Sequence, residues 1–127
     1  MPLVHHELCF GCGRTNLFGL LTEVERTSDD AVAGRCFIKQ DHQGPDRTRA
    51  HPGIVGVALS EAMALACGPD AQPLAVTVGY LGSAAVGAFL ELEAKIEERD
   101  GEELTVTASA SSEQRIVARA RGTYSAG

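Results

Sequence analysis

The segment His51 to Gly68, HPGIVGVALSEAMALACG, constrains the fold more than any other stretch of the chain. Read at helical spacing from Gly53 to about Cys67, it sets Ile54, Val55, Val57, Leu59, Met63 and Leu65 around every side. A helix that is apolar all round is buried all round. The small residues Gly56, Ala58, Ala62, Ala64 and Ala66 let surrounding backbone come close. Gly68 and Pro69 end the helix, because glycine tolerates a left-handed cap and proline cannot continue the turn. Two polar side chains interrupt the pattern, Ser60 and Glu61, and Glu61 is the only charged one between Pro52 and Pro69.

What surrounds such a helix is set by runs with a period of two. Residues 19 to 38 hold two short mixed runs, GLLTEVER and AVAGRCFI, separated by the turn-like TSDD, and read as a hairpin. KQDHQGPDRTRA is a polar loop. After the helix, PLAVTVGYL alternates, and FLELEAKIEER puts Leu90, Leu92, Ala94 and Ile96 opposite Glu91, Glu93, Lys95 and Glu97. ELTVTASASS puts Leu104, Val106, Ala108 and Ala110 on one face. RIVARARGTY puts Ile116, Ala118 and Ala120 opposite Val117, Arg119 and Arg121. Asp100-Gly101 is a hairpin signal, and Ser112 to Gln114 marks a second turn. The expected fold is α+β, an antiparallel sheet wrapped around one long helix in the order ββαββββ. A chain of 127 residues forms a single domain, with too few strands to enclose the helix. A second copy closes the remaining side, giving a homodimer or a dimer of dimers.

Charge and composition exclude several classes. The formal net charge is −6, with basic residues scattered, so a duplex nucleic acid finds no basic face. No apolar run is long enough to span a bilayer, and MPLVHHELCF lacks the order of a signal peptide, so no membrane partner and a cytoplasmic location are expected. Cys9, Cys12, Cys36 and Cys67 are too unevenly spaced for a disulfide scaffold and read as reduced thiols. Cys9-x-x-Cys12 with His5 and His6 upstream invites a zinc reading. One such pair without a second, preceded by an unusual His-His spacing, does not complete a site, so no metal or cofactor is expected.

CFGCGRTNLFGL, HPGIVGVALSEAMA and LAVTVGYL together resemble the hotdog-fold acyl-CoA thioesterase superfamily, in its phenylacetate-pathway-like branch. The family pattern is C-F-x-C-G-x-x-N-P-x-G-L, then H-G-G-V-I-A-T-L-L-D-E-A, then a strand carrying Thr or Ser. The resemblance implies a hotdog fold, an acyl-CoA or similar thioester substrate, and an N-terminal segment, residues 1 to 18, that covers the site. The chain departs from the pattern twice. Ser60 stands where the family has its catalytic Asp, and Pro52, which lacks an N–H, stands where a Gly offers one to the thioester oxygen.

Thioester hydrolysis needs a base for water and donors aimed at the developing oxyanion. On this reading Glu61 is the base or nucleophile, Ser60 hydrogen-bonds the water or the thioester, and the Gly53 N–H at the helix start replaces the missing donor. His51, which opens the second motif, is a further catalytic candidate beside its reading as a capping residue. Thr77 matches the family position that orients water, often toward the carboxylate of the other subunit. Asn16, Arg49, Arg115, Arg119 and Arg121 are the substrate-binding candidates; the last three share parity on the final strand, where one face would hold the carrier's phosphates. The alternative class is a hotdog protein that binds an acyl-CoA or small apolar ligand without hydrolysing it.

Overall fold

A computed structural model describes residues 1–126, which form one six-stranded antiparallel sheet and one α-helix in the expected order. The strands are β1 (Glu23–Ser28), β2 (Ala31–Phe37), β3 (Gln72–Tyr80), β4 (Phe89–Asp100), β5 (Glu103–Ser112) and β6 (Arg115–Ser125). They lie side by side as β1-β2-β4-β5-β6-β3, and α1 (Pro52–Cys67) packs against the middle of this sheet. The polar loop before α1 contains a 3₁₀ turn at Gln40–His42.

Alternation works as expected where the ladder is regular. Leu90, Leu92, Ala94 and Ile96 of β4 and Leu104, Val106, Ala108 and Ala110 of β5 are buried against α1, while the charged face of β4 is exposed. Gly101, with φ of 62°, turns the β4–β5 hairpin. The β5–β6 turn places Glu113 and Gln114 at φ of 53° and 67°, a conformation that L residues adopt at a cost.

In β6 the expected parity fails. Ala118 pairs with Ala110 but Ile116 pairs with Ser111, so Val117 is an extra residue in a β-bulge. Val117 is therefore only 4% exposed and Ile116 is 41% exposed, the reverse of strict alternation. The bulge also separates the arginines. Arg115 pairs with Ser112 on the core side of the ladder, whereas Arg119 and Arg121 pair with Ser109 and Thr107 on the outer side.

The helix is capped at both ends. His51 precedes it and accepts the Gly53 N–H on Nδ1 at 2.9 Å, and the Gly68 N–H donates to the Ala64 carbonyl. The Arg26 guanidinium, reaching from β1, donates to the carbonyls of Leu65 and Ala66 in the last turn. Fully buried Tyr124 of β6 donates to the Ser60 carbonyl at 3.1 Å. On the remaining side α1 is not enclosed: Val57 is exposed, and so are Leu74, Val76 and Tyr80 of the edge strand β3.

Candidate functional site

The N-terminal segment is held over α1 by its own backbone. Gly13 N–H donates to the Cys9 carbonyl, Leu20 N–H to Phe10, Thr22 N–H to Gly11 and Leu3 N–H to Val24. Gly11 lies directly against Glu61, where a Cβ would overlap the carboxylate and sit 2.7 Å from Oε1, and only glycine allows that approach. A Cβ at Gly13 would meet the backbone of Glu7 and Cys9, so the Cys-x-x-Cys-Gly turn is equally tight.

Four side chains converge beneath this segment. His5 Nδ1 is 2.9 Å from Glu61 Oε2, with the two side chains 18% and 13% exposed. Cys9 Sγ lies 3.4 Å from Glu61 Oε2 and 3.7 Å from His5 Nδ1, and Cys12 Sγ lies 3.3 Å from His5 Nδ1. Cys12 Sγ also accepts the His5 backbone N–H at 3.1 Å. Burial, and then the Glu61 carboxylate beside it, push the Cys12 thiol well above its ordinary range, against the lowering effect of that N–H. His6 lies outside the group and is exposed. The sequence signalled Cys9 and Cys12 apart from Glu61. His5 was already grouped with the two cysteines, but the addition of Glu61 was not visible, because it is 56 residues from His5 and only the packing of the segment onto α1 joins them.

The other site residues are placed as follows. Ser60 turns away from this cluster, its Oγ 3.3 Å from the Tyr124 hydroxyl. Gly53, expected to offer a free N–H, has given it to His51, and the N–H groups of Ile54 and Val55 both go to the His51 carbonyl. His51 is thus an exposed N-cap. Thr77 pairs with Arg121 across the β3–β6 ladder, on the face away from α1, so within one protomer it does not meet Glu61. Asn16 is spent on its own loop, donating to the Leu8 carbonyl and accepting the Phe18 N–H.

Arg49 and Arg115 line one polar groove of about 520 Å³ with Ser83, Ser112 and Glu113. A groove of about 610 Å³ on the outer sheet face is lined by Arg119, Lys95, Glu93 and Thr107. Glu61 lines neither. The arginines therefore belong to two surfaces, not one.

No protein-family model matches the chain, and no curated protein matches it. Solved structures do. A phenylacetic acid degradation-related protein from Ralstonia eutropha superposes with a TM-score of 0.76 at 18% identity, over 84% of this chain and 85% of that one. The E. coli PaaI protein from the phenylacetic acid degradation operon gives 0.74 at 17% identity, over 82% of each chain. A hypothetical thioesterase from Streptococcus pneumoniae, solved with coenzyme A, gives 0.75 at 16% identity, over 82% of this chain and 86% of that one. At these identities the likeness is one of architecture: the chain shares the hotdog fold of these structures.

Proposed function

We propose that the protein binds an acyl-CoA or similar thioester in a site shared by two copies and hydrolyses it, with Glu61 as base or nucleophile. The observation that carries this reading is the position of Glu61. It is the one charged side chain on a largely buried helix, sheltered by the N-terminal segment, in a fold whose neighbours include a hypothetical thioesterase solved with coenzyme A.

Each chemical requirement has a candidate. A carboxylate sheltered from bulk water can take the proton of an attacking water beside the carbonyl. Rotation of the exposed His51 ring frees the Gly53 N–H, which then points from the positive end of the helix toward an oxyanion. The exposed Leu8, Leu17 and Phe18 of the N-terminal segment offer apolar cover for an acyl group, and Arg49 and Arg115 offer charge for the carrier's phosphates. The second copy completes the site along the edge of β3.

One observation favours the non-hydrolytic alternative. The backbone N–H groups at the start of α1 are occupied or, at Pro52, absent, so an oxyanion finds no ready donor there. Thiol release from a panel of acyl-CoAs decides between the two. Glu61→Gln keeps the shape and removes the proton acceptor, and it should lower kcat by about two orders of magnitude or more with the oligomer intact. Undiminished turnover in Glu61→Gln rules Glu61 out as the base. No turnover in the parent, with acyl-CoA binding retained in calorimetry, makes the protein a binder.

A further inference from the structure

We infer that His5, Cys9, Cys12 and Glu61 form a binding site for one zinc-class divalent cation, which fastens the N-terminal segment to α1. The four donor atoms, His5 Nδ1, Cys9 Sγ, Cys12 Sγ and one Glu61 oxygen, all lie within 4.8 Å of one another. A tetrahedral zinc centre has bonds of about 2.3 Å to sulfur and about 2.0 Å to nitrogen or oxygen, which sets its donors roughly 3.3 to 3.8 Å apart. Four of the six donor separations, 2.9, 3.3, 3.4 and 3.7 Å, lie near those values, and the other two are within 4.8 Å, so small side-chain shifts complete the tetrahedron.

Cys9 donates to Glu61 Oε2 and the His5 backbone N–H to Cys12 Sγ, but His5 Nδ1 has more neighbours than it can hydrogen-bond. His5 Nδ1 faces Glu61 Oε2 and both sulfurs, yet a ring nitrogen holds one proton or one lone pair, and can satisfy one of the three. With all four donor atoms within 4.8 Å of one another, one small ion at their centre can reach each of them. A cation at that centre satisfies all four together.

The donor set selects the ion. Two thiolates with an imidazole favour zinc over magnesium or calcium, which prefer oxygen, and four protein ligands close the coordination sphere as structural zinc does. The turn is built for it as well. Gly13 N–H closes the loop onto the Cys9 carbonyl, and the His5 backbone N–H donates to Cys12 Sγ, a bond that favours thiolate. The sequence offered Cys9, Cys12 and the His5-His6 pair; the fold selects His5 and brings in Glu61 as the fourth donor. Glu61 is shared with the proposed hydrolysis, but every readout below is of the cation itself, so failure of the cation site and failure of hydrolysis are told apart.

Protein purified under reducing conditions without chelator should carry about one zinc per chain by elemental analysis. Cobalt substituted for zinc should give a thiolate-to-metal charge-transfer band and the intense visible absorption of a tetrahedral ion. Cys9→Ser and Cys12→Ser should each weaken zinc binding by roughly two orders of magnitude or more. Cys12 is buried and its variant can fail to fold; Cys9→Ser and His5→Ala, at half-buried positions, are the companion tests, checked for folding by circular dichroism. Chain that takes up less than about a tenth of an equivalent of zinc after equilibration and gel filtration overturns the inference. So does a folded Cys9→Ser that holds zinc as tightly as the parent.

Discussion

Oε2 of Glu61 cannot both ligate a cation and accept a proton from water, so the two uses of this carboxylate have to be separated residue by residue. Glu61→Gln removes both, whereas Cys9→Ser strips a ligand and leaves the carboxylate in place. A second residue offers a test free of that overlap. His42 is buried in the 3₁₀ turn, where Nδ1 accepts the Lys39 N–H. Burial lowers its pKa from the usual 6.5, with Lys39 adding to the effect and Asp41 opposing it. The folded state thus binds the proton more weakly than the unfolded one. His42 stabilises the protein fully above the unfolded value of about 6.5, and that contribution falls as the pH drops through 6.5 toward the folded pKa. Urea midpoints measured between pH 8 and pH 5 should decline more steeply for the parent than for His42→Asn, whose Oδ1 can replace the ring acceptor. Parallel declines would remove His42 as the cause.

Among the elements, α1 depends on a neighbour for its last turn. It has no basic residue there, and Arg26 of β1 supplies the charge by donating to two terminal carbonyls. Arg26→Ala should cost about 0.5–1 kcal/mol, roughly 2–4 °C in Tm by differential scanning calorimetry, and Lys should restore only part of it because one ammonium cannot fork onto both carbonyls. The helix itself was legible from Gly53 to Cys67, because an apolar surface without a polar stripe and a Gly-Pro stop are local properties. β4 and β5 were legible for the same reason, their alternation being uninterrupted. The bulge at Val117 was not: it is a mismatch between two strands, invisible within either, and it moved Arg115 away from Arg119 and Arg121. The cap made by His51 likewise consumed the Gly53 N–H through a side-chain rotamer that no spacing rule sets. The candidate cluster was legible in two parts, as Cys9-x-x-Cys12 with His5 upstream and as Glu61 in the helix, and only tertiary packing relates them.

At the scale of the whole molecule, the sheet ends in a strand with one unpaired edge and an exposed apolar face. β3 pairs with β6 on one side only, and its Leu74 and Tyr80 are 58% and 49% exposed. Val76 on the same strand and Val57 on α1 extend the apolar face toward the side of the helix that the sheet does not reach. An unpaired apolar edge invites another strand, and identical chains meet most simply about a twofold axis. A stable pairing of that kind buries at least about 1,200 Å² in total. Light scattering at micromolar concentration should therefore report a dimer or tetramer. Leu74→Lys combined with Val76→Lys should shift it toward monomer, since two ammonium groups on each copy would face one another across the new edge. If Glu61 works in a site shared by two copies, hydrolysis should fall with the loss of the dimer, and dilution of the parent should lower specific activity along the same dissociation curve. A monodisperse, folded, fully active monomer would leave the exposed face of β3 without a partner and confine the chemistry of Glu61 to a single chain.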